Sequence, residues 1–230
     1  MTGQMSSVEP RNEIATDKGS LSARWAEWCK QLQAIAQNGL TFATDPFDVA
    51  RYKAIRQIAA EMVSQASGVE TSVVLGVLDK ETNYTTPKVD MRGVVFRDDK
   101  LLLVRERCDG LWTLPGGWAD VNLTPAENVE REIFEESGFI TRATRILAVL
   151  DRSKHPHVPA FPFHVYKFFV RCEIVGGKET LSNETDAVGF FAEGEIPELS
   201  ITRVTPEQIR RMFEHYREPE LGTDFDRTAF

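Results

Sequence analysis

The chain has 230 residues, 42% of them hydrophobic and 27% charged, and a formal net charge of −8. That length implies one main domain of about 130–150 residues plus something smaller, and the acidic balance excludes a general nucleic-acid binder, which shows phosphates a basic face. The three cysteines, Cys29, Cys108 and Cys172, lie far apart with no Cys-x-x-Cys pair, which excludes a disulfide framework and a zinc site and fits reduced thiols in the cytoplasm.

Residues 1–20 are polar and without periodicity, and are expected to be a mobile tail. They have no basic segment followed by an apolar core, so no signal peptide is expected, and no run along the chain approaches the ~18–20 apolar residues of a membrane span. From Leu21 the period becomes helical: Leu21, Trp25, Trp28, Leu32 and Ile35 form one stripe, with Gly39 as the expected stop. A second helix starts at Asp45-Pro46, with Asp45 as N-cap; Ile55, Ile58, Ala59, Met62 and Val63 form its stripe, and Gly68 ends it. Two helices cannot cover both stripes by themselves, so residues 21–70 are read as a small helical domain that pairs with a second copy to form a homodimer, or else caps its own chain. The two tryptophans have the spacing of packing residues.

Residues 71–90 carry short strand-prone pieces broken by Thr85-Thr86-Pro87 and read as a connector. Strands follow over 91–96 and 100–106, joined by a hairpin at Arg97-Asp98-Asp99, and a short strand over 111–118 runs into a Gly-Gly bend. Thr124-Pro125-Ala126-Glu127 is a capping box, and Gly138 a C-cap, for a helix over 125–137. Strands over 145–151, 163–174 and 187–193 lead to a last helix capped by Thr205-Pro206-Glu207-Gln208, with Ile209, Met212, Phe213 and Tyr216 as its stripe. The main domain is therefore placed at 91–218, with a fraying tail over 219–230.

The chemistry concentrates in residues 116–139, GGWADVNLTPAENVEREIFEESGF. Glu132, Glu135 and Glu136 share one helix face within roughly 100° of arc, while Ala126, Val129 and Ile133 hold the neighbouring face to a core. Like charges at this spacing repel. Hard cations such as Mg²⁺ and Mn²⁺ relieve that repulsion, and Arg131 on the flank is placed to hold a carboxylate. Three glutamates alone read equally well as a solvated acidic face; the residues around them decide.

Those residues resemble the Nudix signature, Gly-x5-Glu-x7-Arg-Glu-U-x-Glu-Glu-x-Gly-U, where U is bulky and apolar. Gly117 and the run Arg131-Glu132-Ile133-Phe134-Glu135-Glu136-Ser137-Gly138-Phe139 fall in register, and Leu123 departs where the signature has its first glutamate. The wider pattern over about 21–217 is similar to a Nudix subgroup with a helical N-terminal extension, described as CDP-choline and ADP-ribose pyrophosphatases. The resemblance implies an α/β/α sandwich on a mixed sheet, with the signature helix on one face and the C-terminal helix on the other. It implies Mg²⁺, with Mn²⁺ as substitute, held by Glu132, Glu135, Glu136 and the Gly117 carbonyl, with Arg131 orienting a glutamate. The expected reaction is hydrolysis of a small nucleoside diphosphate linked to a second group, with no stable nucleic-acid or membrane partner. A helix glutamate or a loop glutamate takes the proton; Glu184 is the loop candidate, and its other reading is a solvated loop acid. Arg92 and Arg105 are candidates to hold phosphates bidentately, or are rim arginines. His155, His157 and His164 flank a Pro-rich loop that is a candidate wall for the substrate and have no metal-ligand spacing. Two other functions share these features: a dinucleoside-polyphosphate or RNA-end hydrolase, and a nucleotide sensor without catalysis.

Overall fold

The computed structural model describes residues 18–159, 161 and 163–227, in two compact units that meet between Thr85 and Thr86. The expected mobile tail lies outside the described residues up to residue 17, as does the side chain of Leu21.

The first unit is three helices, α1 (Lys18–Phe42), α2 (Pro46–Ser67) and α3 (Thr71–Leu78). Asp45 caps α2 through the Phe47 and Asp48 amides, and Gly68 closes it in the left-handed conformation. Gly39 does not stop α1. It lies inside the helix, where a Cβ would come 2.3 Å from the Tyr52 ring, so glycine here lets α2 approach. The faces buried within the unit carry Cys29, Gln33, Ala36 and Gln37 on α1 and Ala59 and Ala60 on α2. The expected stripes are only partly covered: Trp25 is 42%, Trp28 39%, Ile35 57% and Ile58 54% exposed, whereas Ala59 is buried and Leu32, Ile55, Met62 and Val63 are half-buried. Residues 71–78 are a helix and not strand-prone pieces, because Val74 and Leu78 gain burial against Ala60 and Val63, and packing overrides the β preference of valine.

The second unit is built on strands β1 (Lys88–Arg97), β2 (Lys100–Glu106), β3 (Trp112–Thr113), β4 (Phe139–Asp151), β5 (Val165–Gly177), β6 (Thr185–Phe191) and β7 (Asp224–Phe225), with helices α4 (Pro125–Ser137) and α5 (Pro206–Arg217). The sheet runs β3-β2-β1-β5-β4-β7, with β6 beside β2. It is mixed: β1 lies parallel to β5 from Lys88↔Val165 to Val95↔Cys172, and β5 is antiparallel to β4. Asp98 and Asp99, both at positive φ, turn β1 into β2.

Residue alternation along the central strands divides the core. Met91, Val95, Leu102 and Val170 pack with Val129 and Ile133 of α4. Val94, Leu101, Leu103 and Phe169 pack with Ile209, Met212 and Phe213 of α5. The result is the α/β/α sandwich on a mixed sheet. Each fully buried aliphatic side chain on α4 contributes roughly 1.5–3 kcal/mol, which anchors the helix while its glutamate face is turned elsewhere. The C-terminal segment is not frayed through residue 227: β7 pairs with Ala148 and Val149, and Asp224 binds Arg211 at 2.6 Å and His215 at 2.9 Å.

Candidate active site

A cleft of about 640 Å³ opens in the second unit where β1, β5, the Gly-Gly bend and α4 converge. Capping sets the direction of α4. The Thr124 hydroxyl accepts the Glu127 amide, and Glu127 reaches back to the Thr124 amide. Where Leu123 replaces the signature glutamate, the Asn128 side chain holds the loop, accepting the Asp120 amide at 2.7 Å and donating to the Leu123 carbonyl at 3.2 Å.

On the cleft face, Arg131 joins the acidic groups. Its guanidinium donates to Glu132 at 2.8 Å and Glu135 at 2.6 Å, and pairs with Asp120 at 2.9 Å. Glu136 differs from both. It is 4% exposed, accepts the Gly116 amide at 2.9 Å, and forms no ion pair among the described residues. Burial pushes its carboxyl up to about 8, against the smaller opposing pull of Arg92 and the Gly116 amide. Burial also raises Glu132 and Glu106, the latter partly offset by its 3.0 Å pair with Arg203. Gly116 has φ +139°, and a Cβ there would lie 2.0 Å from the Met91 carbonyl, so only glycine brings this amide to Glu136.

The remaining expected residues divide. Gly117 lines the cleft beside Glu132, but its carbonyl accepts the Met91 amide at 2.8 Å, which leaves one lone-pair direction for any other ligand. Glu184 lines the cleft. Arg92 lines it too, yet its fork is not free: it binds Asp90 at 2.6 and 3.1 Å and the Leu114 carbonyl at 3.2 Å. Arg105 is not in the cleft wall; it pairs with Asp186 at 2.6 Å. Its side chain leaves β2 toward β6. His157 is buried, bonded to the Ile201 carbonyl and Gln208, and burial lowers it to about 4. His155 and His164 pair with Asp226 and Asp151.

Several cleft residues were not foreseen: Asp90, Glu106, Asp120, Arg152, Lys167 and Arg203. Lys167 binds Asp90 in a buried pair. Burial pulls the lysine down to about 8; Arg92 and Lys167 together overcome burial at Asp90 and hold its carboxyl below the ordinary range. The signal for these was a lysine inside the apolar strand VYKFFV, and Asp90 and Arg92 at alternate positions of another buried strand. Trp118 and Phe161 stack at 6.0 Å beside them.

The hard oxygen donors of Glu132, Glu135, Glu136 and Glu184 are the ligand chemistry of Mg²⁺ or Mn²⁺, and an unpaired buried carboxylate is the feature a cation satisfies. As placed, no three acidic, histidine or cysteine side chains among the described residues converge tightly enough to hold an ion, because Arg131 draws Glu132 and Glu135 to itself. In donor type these carboxylates fit such a cation.

The sandwich thus carries an acidic helix into a cleft lined by buried cations. The comparisons give the family. Residues 87–215 match the NUDIX domain, and residues 23–78 match the description "UDP-X-like, N-terminal oligomerisation domain". The chain belongs to the Nudix hydrolase family. It is 43% identical to a putative ADP-ribose pyrophosphatase, YjhB, of Bacillus subtilis (strain 168), over 90% of this chain and 99% of that protein. A crystal structure of a UDP-X diphosphatase is 34% identical with a TM-score of 0.58, covering 89% of this chain and 99% of that one. A crystal structure of an ADP-ribose pyrophosphatase from Streptococcus suis 89-1591 is 41% identical with a TM-score of 0.56, covering 61% of this chain and 100% of that one. Among the described residues, no helix is long and apolar enough to cross a membrane.

Proposed function

We propose that the protein is a Mg²⁺-dependent pyrophosphatase of a nucleoside diphosphate joined to a second group, with ADP-ribose the foremost candidate and UDP- or CDP-linked compounds next. The observation that carries this reading is the unpaired buried Glu136, on the acidic face of α4, in one cleft with buried cations. Relatives named for ADP-ribose and UDP-X cleavage support the substrate class.

In this reading Glu132, Glu135 and Glu136 would hold the metal, with a backbone carbonyl of the Gly116–Gly117 bend as a further ligand. Bound Mg²⁺ or Mn²⁺ neutralises diphosphate charge and acidifies water. Arg131 sets the helix carboxylates Glu132 and Glu135 in position through its ion pairs with them. Water adds to one phosphorus and the bridging P–O bond breaks, giving a nucleoside monophosphate and a phosphorylated second product. A cleft carboxylate, Glu184 or a helix glutamate, takes the water's proton. The buried cations face the remaining phosphate charge.

The exposed stripes of α1 and α2 support a homodimer through the N-terminal unit, in line with the oligomerisation domain matched there. The test of function is release of the nucleoside monophosphate from ADP-ribose, CDP-choline and a UDP-sugar, with Mg²⁺, with Mn²⁺ and in EDTA. Metal-dependent cleavage of one of them supports the reading, and cleavage unaffected by EDTA refutes it.

A further inference from the structure

In the cleft away from α4, three cations, Arg92, Lys167 and Arg152, gather around one carboxylate, Asp90. Arg92 and Lys167 are both paired with it. Arg152 is 9% exposed and pairs with no carboxylate among the described residues. Its guanidinium is held on one side by backbone: Nη2 donates to the Pro159 carbonyl at 3.0 Å and the Thr202 carbonyl at 3.3 Å, and Nε to Thr202 at 3.4 Å. The Phe161 ring lies 5.3 Å from it. Nη1 makes no hydrogen bond among the described residues.

A buried charge without a counter-ion is costly to keep. Here the guanidinium is also fixed in orientation by two carbonyls and a ring, so little freedom is lost when it binds. Neutral carbonyls anchor Arg152 without cancelling its charge, and the group left over is a donor at the cleft wall. The hydrogen bonds and ion pairs of Arg152 and Lys167 go to Pro159, Thr202 and Asp90, whereas those of the α4 carboxylates Glu132, Glu135 and Glu136 go to Arg131 and the Gly116 amide. The two sets of side chains line one cleft and share no bonding partner among the described residues.

We infer that Arg152, with Lys167 beside it, is a specificity-determining anion subsite that binds the phosphoryl group of the diphosphate farther from the α4 carboxylates. This rests on the pyrophosphatase reading for its ligand, a diphosphate ester, but not for its test. The subsite selects substrates with two adjacent phosphates over monophosphates, because only the former reach both the acidic helix and Arg152.

The experiment is calorimetric titration of the full-length protein with inorganic pyrophosphate in EDTA, where the carboxylate helix holds no metal. Wild type is expected to bind, and Arg152→Gln, which keeps donors for the two carbonyls but loses the charge, to bind at least ~10-fold more weakly. Lys167→Met is expected to weaken binding similarly, and Arg105→Ala to leave it unchanged. With a cleaved substrate, Arg152→Gln raises KM by about 10-fold and changes kcat less than about 3-fold. Absence of wild-type binding, or binding unchanged in Lys167→Met or in folded Arg152→Gln, overturns the subsite. If Arg152→Gln does not fold by circular dichroism, the wild-type and Lys167→Met titrations decide. Failure of every substrate to be hydrolysed refutes the pyrophosphatase reading and leaves the titration standing, so the two failures are separable.

Discussion

Replacing Glu136 by glutamine removes a buried charge and keeps an acceptor for the Gly116 amide. In the metal-free protein burial raises this carboxyl from 4.5 to about 8. One pKa unit corresponds to about 1.4 kcal/mol, so ionised Glu136 is roughly 5 kcal/mol less favourable in the fold than in the unfolded chain. The sign follows: because the folded carboxyl binds its proton more tightly, the contribution of Glu136 to stability is most favourable below pH 4.5 and falls as pH rises toward 8. Relaxation and water entry reduce the penalty, leaving on the order of 3 kcal/mol at pH 8. Glu136→Gln in EDTA is therefore expected to melt above wild type at pH 8, by about 5–10 °C, with the difference vanishing near pH 5. Its turnover with Mg²⁺ falls at least ~100-fold, as for loss of a group acting on transition-state charge. Thermal melts from pH 5 to 8.5, with and without EDTA, check this. A variant that melts below wild type at pH 8 in EDTA refutes the argument that Glu136 is a buried carboxylate awaiting a cation.

Arg105→Ala is expected to change kcat/KM less than ~3-fold, because its partner is Asp186 and not the cleft; a ~100-fold loss in steady-state kinetics would return Arg105 to the site. Sedimentation equilibrium of the full chain is expected to give a dimer at micromolar concentration, and Trp28→Glu with Ile58→Glu a monomer with the same helical circular dichroism. A monomeric wild type, or a double variant that stays dimeric, contradicts the N-terminal interface.

The parts of the fold legible in the sequence are those fixed within a few residues. Asp45-Pro46, Thr124 with Glu127, and Thr205 with Gln208 all cap helices through local side chains, so they place α2, α4 and α5 correctly. The acidic face of α4 was legible for the same reason, since helical period puts Glu132, Glu135 and Glu136 together. Partners at a distance were not. Arg152 has no local pattern, and its role arises when the Pro159 and Thr202 carbonyls meet it. Asp224 ties down the C-terminal segment through Arg211 and His215, thirteen and nine residues away, which no cap or turn rule signals. Arg92 and Arg105 sit on neighbouring strands and looked equivalent; tertiary pairing sends one to Asp90 at the cleft and the other to Asp186 outside it. In the N-terminal unit, periodicity marked the apolar stripes of α1 and α2 and put Ala59 inside, but did not say that Gln33 and Gln37 would face inward while Trp25, Trp28 and Ile58 face outward.

The most direct test of the central claim is hydrolysis of ADP-ribose by the full-length protein in ¹⁸O-labelled water with Mg²⁺, read by mass spectrometry of the products. The account predicts AMP and ribose 5-phosphate, with one ¹⁸O on a phosphate of one product and no cleavage in EDTA. Label on a non-phosphate group, or cleavage undiminished by EDTA, would contradict it.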